Sequence, residues 1–428
     1  MAADTESGDW TGLPLPTTVG ELAALGPEWL TRAFQAFGAA RHGEAVSDVA
    51  RCEAAAGGNS GQKAILDIAW AVPSSDLATQ LFVKLSRDFT DAFRDRRRGE
   101  LEAEVRLARL SRHSGFPVPV ARAWFADFHE ASGTGLLITS RVPFGVGAVL
   151  PLRRKCRDHE LSDPARYYRA TMRALARLAA ADQSGALAPA IDELFPYDPA
   201  AAAADMAFDW PPERLAEVLS NLKALLQRAP QLFPAEITAS PFIDRFCCDI
   251  ASAIHHEARL RAFLHADPRL IALAHWNTNL DNAWFEEEPD GELTAGLLDW
   301  GMVRRMNVGY GIWGGLSAAE PAMLREEMDA LLALFAAEMA ANGGAYISAQ
   351  AIGDHFDLSL ALLAAALLLE APALLLERAP GLPRYSGPHD PALESDGVVE
   401  GFLKVFTNML VLWHCRRIGD TLERLLGD

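Results

Sequence analysis

Apolar and polar residues alternate with a period of two through the first third of the chain, and with a helical period through most of the rest. Val46–Ala54, Ala64–Ala71 and Leu77–Leu85 read as strands, the last two joined by the turn Val72-Pro-Ser-Ser-Asp76. A charged helix is predicted from Asp91 to Arg112. The prolines of Phe116-Pro-Val-Pro119 then exclude helix, and two further strands follow at Val120–Phe128 and Gly135–Val142. Ahead of the first strand, Leu30, Ala33, Phe34 and Phe37 share one face of a helix over Pro27–Phe37. Beyond Pro143 the spacing predicts helices at Pro164–Ala181, Pro212–Arg228, Ala239–His265, Pro321–Asn342, Asp354–Leu376 and Gly397–Leu426. The expected division is a lead-in over 1–45, a small α+β lobe over 46–140 and a large helical lobe over 141–428.

One strand pair interrupts the helical part. Ala283–Phe285 and Gly296–Leu298 flank a turn at Pro289-Asp290-Gly291, which reads as an antiparallel hairpin. Such a hairpin sets Asn282, at the start of its first strand, beside Asp299, at the end of its second. An amide oxygen and a carboxylate at one open end suit a hard divalent cation such as Mg²⁺. His275 and Asn277 lie on the loop that feeds the same end.

The pattern His275-x-Asn277-x-x-x-x-Asn282, a hairpin, then Asp299-Trp-Gly resembles the catalytic loop and metal motif of the protein-kinase-like phosphotransferases, in particular the aminoglycoside phosphotransferase, choline kinase and ecdysteroid-kinase-like branch. The resemblance covers roughly residues 45–320. It implies a two-lobed fold with an ATP-type cleft between the lobes, ATP or GTP with Mg²⁺, and a small hydroxylated acceptor. By the same resemblance Asn282 and Asp299 hold the metal, the residue at 277 faces the acceptor hydroxyl, and His275 braces the loop. The family has a base aspartate where this chain has Asn277, and an amide cannot accept a proton as a carboxylate does. A second departure is Gly311, which stands where the family commonly carries an aspartate.

The small lobe adds supporting features. Gly57, Gly58, Asn59 and Ser60 lie in a turn between two strands, where glycines let backbone N–H groups approach phosphate oxygens; an ordinary hairpin turn has the same composition. In Leu81-Phe-Val-Lys84-Leu85 the alternation separates Lys84 from Leu81, Val83 and Leu85. The resemblance makes Lys84 the phosphate-gripping lysine. Glu100, Glu102 and Glu104 compete to be its partner; Glu104 is preferred, Glu102 is second, and a solvated face carrying all three is the third reading. By resemblance adenine meets backbone groups of Ser140 to Val142.

Charge and cysteine content narrow the function classes. A net charge of −18 argues against nucleic-acid binding. Five scattered cysteines form no metal spacing and fit reduced thiols in a cytoplasm, with Cys247 and Cys248 read as packing residues. His255-His-Glu257 lacks an i, i+4 histidine pair and is read as surface rather than metal site. Met1–Trp10 is acidic without an apolar core, unlike a secretory signal. The apolar run Leu358–Leu369 falls short of the roughly 20 residues that span a bilayer. The leading expectation is small-molecule O-phosphotransfer. The alternatives are a pseudokinase acting as a nucleotide-binding or regulatory module, and transfer of another part of the nucleotide.

Overall fold

The computed structural model describes residues 6–427. Met1–Thr5, half of the stretch read against a secretory signal, lie outside them. The chain forms two compact units.

The first unit comprises residues 1–149, 187–195 and 296–304. Its centre is a five-stranded antiparallel sheet of β1 (Val46–Ala55), β2 (Gln62–Trp70), β3 (Gln80–Leu85), β4 (Ala123–His129) and β5 (Thr134–Ser140), in the order β1-β2-β3-β5-β4. The lead-in belongs to this unit rather than standing apart. Helix α1 (Val19–Ala36) lays Leu30, Ala33 and Phe34 against the sheet, where Phe34 meets Trp70 and Trp124 at ring-centroid distances of 5.9 and 5.6 Å. The helix begins well ahead of the predicted Pro27, because Thr18 caps it and Gly26, at φ 67°, lets the chain kink before Pro27. Buried Asp127 accepts hydrogen bonds from the backbone N–H groups of Trp10 and Thr11, tying the start of the described chain to β4.

The single helix expected over 91–112 is two. Asp91 caps α2 (Ala92–Arg96), the basic run reaches Gly99, and α3 (Glu100–Leu110) starts afresh. A glycine inside a helix is about 1 kcal/mol worse than alanine, which makes Gly99 the cheapest place to break.

The second unit, residues 150–186, 196–295 and 305–428, is mostly helical. Its main helices are α4 (Pro164–Gln183), α5 (Pro212–Arg228), α6 (Ser240–His255), α7 (Glu257–Ala266), α8 (Val308–Leu316), α9 (Pro321–Ala341), α10 (Ala349–Leu363), α11 (Ala371–Arg378), α12 (Gly397–Cys415) and α13 (Ile418–Leu426). Three predicted long helices are therefore broken. His256 separates α6 from α7, a π turn over Ala364–Leu368 with Leu369 and Glu370 separates α10 from α11, and Arg417 at φ 54° separates α12 from α13.

The expected hairpin is β7 (Ala283–Glu287) with β8 (Leu293–Leu297). A second small sheet pairs β6 (Ile271–Ala274) with β9 (Arg304–Asn307); strands of four residues are too short to announce themselves by alternation.

Ala349–Leu368 and Gly397–Cys415 are each long and apolar enough to cross a membrane, which corrects the shorter apolar run read from sequence. Most of each window is buried within the protein, and the first contains Asp357, ion-paired with Arg416, as expected of core helices. The five cysteines are free thiols; Cys248 is exposed, so it is not the packing residue expected.

Candidate functional site

In the first unit β3 presents Lys84 opposite its buried neighbours Leu81, Val83 and Leu85. The ammonium lies 2.7 Å from Glu104 Oε2, 2.8 Å from Glu104 Oε1 and 2.6 Å from Asp299 Oδ1. Glu104 is buried on α3, whereas Glu102 and Glu100 turn to Arg106 and Arg97. Burial acts to lower the Lys84 pKa, but Glu104 and then Asp299 outweigh it and hold the ammonium above its ordinary value. Burial raises the Glu104 carboxyl against the opposing pull of Lys84.

Asp299 reaches this place by a backbone route. The Leu297 N–H donates to the Pro119 carbonyl, Val120 and Leu297 form a parallel bridge, and Trp300 Nε1 donates to the Leu297 carbonyl. Asp299 itself has φ 59°, a left-handed backbone that a non-glycine residue adopts only at some cost.

The glycine-rich turn adds a cation that the sequence reading did not single out. Gly57 and Gly58 have φ of 101° and 82°, followed by Asn59 and Ser60. Lys63 pairs directly with Lys84 across β2 and β3, and its Nζ sits only 2.1 Å from where a Gly58 side chain would begin. Burial, and next the Lys84 charge, lower the Lys63 ammonium. Lys63 thus brings a second ammonium beside the turn of glycines, next to the Lys84 group already held by Glu104 and Asp299. The signal was present in that Lys63 follows the turn directly, but only the strand register puts it opposite Lys84. Gly61 is fixed by close approach, since a Cβ there would lie 1.9 Å from the Leu85 carbonyl oxygen.

At the end of β5, Ser140 Oγ accepts from Trp124 Nε1. The Val142 carbonyl is engaged by the Phe144 N–H, and the Arg141 N–H by the Gln80 carbonyl. Part of the backbone expected to meet adenine is thus already bonded.

The second unit holds the 275–282 loop. It leaves β6, which packs on α4, where Asp182 accepts from the Leu273 N–H at 2.7 Å and pairs with Arg305. His275 is fully buried, and its Nδ1 accepts the Asn277 N–H at 3.1 Å, a bracing contact within the loop. Asn277 Oδ1 accepts from Asn279 Nδ2 at 2.9 Å, while Asn279 Oδ1 accepts from Ser317 Oγ. Asn282 donates its amide to the Asn277 carbonyl at 2.8 Å, so its Oδ1 is the atom of that side chain suited to a cation.

Helix α8 lies against the same loop: a Cβ on Gly314 would stand 2.1 Å from the Trp276 carbonyl oxygen, and one on Gly311 3.1 Å from Ala274 Cβ. That proximity leaves little room at 311 for the aspartate common in the family. Asp281 is half-buried and belongs to a single turn of 3₁₀ helix with Asn282.

No protein-family model matches the chain, and no curated protein matches it in sequence. Among solved structures it is similar to an ethanolamine kinase from Plasmodium vivax (11% identity, 83% of this chain and 81% of that one, TM-score 0.40). It is likewise similar to a choline/ethanolamine kinase family protein from Mesorhizobium loti (12% identity, 92% of this chain and 98% of that one, TM-score 0.37). A third is a spectinomycin phosphotransferase in complex with ADP and spectinomycin (10% identity, 88% of this chain and 95% of that one, TM-score 0.39).

Proposed function

We propose that the protein is a nucleotide-dependent phosphotransferase that moves a phosphoryl group from ATP or GTP to a hydroxyl of a small molecule. The observation that carries this reading is the buried Lys84–Glu104 pair with Asp299 on the same ammonium. A lysine oriented by a glutamate and set beside a glycine turn is the arrangement that grips α- and β-phosphates. Asp299 in the first unit and Asn282 in the second each carry a hard oxygen donor of the kind Mg²⁺ prefers, and an ion held by such donors would neutralise phosphate charge.

Asn277 orients the acceptor oxygen without taking its proton. The hydroxyl oxygen forms a bond to the γ-phosphorus while the bond to the leaving nucleotide oxygen breaks. A loose transition state lets the acceptor proton depart late, so positioning and electrostatics dominate.

One observation favours a second reading, a nucleotide-binding protein without transfer: Asn277 Oδ1 is already committed to Asn279. Thermal-shift titration with ATP and GTP, with and without Mg²⁺, followed by radiolabelled transfer to a panel of hydroxyl compounds, separates the readings. Nucleotide stabilisation with transfer supports the first, stabilisation alone the second, and neither response removes both.

A further inference from the structure

Away from the Lys84 cluster and the 275–282 loop, three segments of the second unit converge on one point. His159 lies in the short turn Asp158–Glu160, Glu320 immediately precedes α9, and His389 lies in the connection leading to Pro391. One potential ligand atom from each comes within 4.8 Å of the others. His159 Nδ1 is 3.8 Å from Glu320 Oε1, and His389 Nε2 is 3.5 Å from Glu320 Oε2. The imidazole centroids lie 3.9 Å apart, with the ring planes tilted by 31°. We propose that His159, Glu320 and His389 form a binding site for a divalent transition metal of the zinc class.

The spacing suits such an ion with little movement. Zn–N and Zn–O distances near 2.0–2.1 Å in a tetrahedron put ligand atoms roughly 3.3 Å apart. Two imidazoles with one carboxylate favour zinc over magnesium, which takes oxygen ligands. His159 Nδ1 is buried and has no hydrogen-bond partner among the described residues.

The surroundings brace the ligands. Lys404 donates to Glu320 Oε1, the Glu320 N–H donates to Asp158 Oδ2 at 2.7 Å, and Tyr168 donates to the same carboxylate oxygen at 3.0 Å. An outer partner on a ligating carboxylate is the usual means of fixing its orientation. Charge also points to a cation. Among the described residues, Glu320, Glu394 and Glu400 have Lys404 and Arg157 as their Lys and Arg ion-pair partners, which leaves one carboxylate in excess, and Asp158 beside them adds a second. With three protein ligands the fourth position is open to water or another donor. Glu320 and Lys404 also line a cavity of about 390 Å³ together with Arg325 and Thr407.

The test uses the untagged full chain, stripped with chelator and kept in millimolar Mg²⁺ so that hard-cation sites are filled. Titration with Co²⁺ should give visible d–d bands of a four-coordinate site at one ion per chain, displaced by Zn²⁺. His159→Ala and His389→Ala should each weaken binding at least tenfold, on the scale of losing one ligand. X-ray absorption of the Zn²⁺-loaded wild type should show two imidazoles, a readout that does not require any variant to fold. An unchanged Co²⁺ spectrum in the folded His159→Ala/His389→Ala protein, or a zinc shell without histidine, overturns the proposal.

Discussion

The Lys84 cluster and the 275–282 loop fix polar atoms by opposite means. In the first unit an ammonium and two carboxylates hold one another, with Lys84 and Glu104 largely removed from water. In the second, Asn277, Asn279 and Asn282 are held by hydrogen bonds that use an imidazole nitrogen, three asparagine amides and a serine hydroxyl. A buried charge must be paired and is costly to disturb, so the cluster tolerates few substitutions. Neutral hydrogen bonds each contribute about 1 kcal/mol, and a loop built from them can exchange a residue at lower cost. That contrast explains how an asparagine can stand at 277 while the lysine–glutamate pair stays intact.

The largest effect that would break the contrast is at Lys84. Lys84→Ala should lower nucleotide affinity or transfer by on the order of 10³-fold, as for loss of a dominant electrostatic contact. Its melting temperature should fall less steeply, because Glu104 can protonate once unpaired. Equal nucleotide affinity in wild type and variant would reduce Lys84 to a structural ion-pair partner.

Asn277→Ala should cost roughly 10- to 1000-fold in transfer rate if its amide positions the hydroxyl. Asn277→Asp tests the second reading, since a carboxylate restores a proton acceptor. No transfer by wild type together with measurable transfer by Asn277→Asp would mark the natural chain as inactive. Robust turnover untouched by Asn277→Ala would sink the positioning role.

A packing change comes next. Gly314→Ala drives a Cβ into the Trp276 carbonyl, a backbone atom that cannot swing aside, and should destabilise by roughly 1–3 kcal/mol in a denaturant titration. Loop function should decline with it, while nucleotide binding through Lys84 should change less. Parallel loss of both would show that the two regions are not energetically separable.

The last effect is a pH dependence elsewhere in the second unit. His355, on α10, hydrogen-bonds Asn307, which caps α8. Burial, opposed by Asp267 and Asp354, lowers its pKa from 6.5 to about 4. A depressed folded pKa means that its stabilisation is present above pH 6.5 and lost as pH falls through about 4. The total is on the order of 3 kcal/mol at most by linkage. Chemical denaturation of wild type and His355→Gln between pH 7 and 4 should show the gap between them shrink on acidification. A constant gap would remove His355 as the cause.

Much of this organisation is legible along the chain. The strand alternation from 46 to 140 and the hairpin turn at Pro289-Asp290-Gly291 each depend on residues close in sequence, so periodicity and turn chemistry suffice, whereas the preference for Glu104 over its neighbours came from the family resemblance. Sequence by itself therefore determined the α+β class, the face of β3 that carries Lys84 and the asparagine-rich character of the 275–282 loop. Only the tertiary structure decided that Asp299 lies on the Lys84 ammonium, that Lys63 faces Lys84, and that His159, Glu320 and His389 meet. It also decided where long helices break, as at Arg417, because a helix continues or stops according to what its next turn can pack against. Local patterns are written by neighbours one to four residues apart, whereas register and long-range ion pairs are set by packing of segments whose separation the chain does not record.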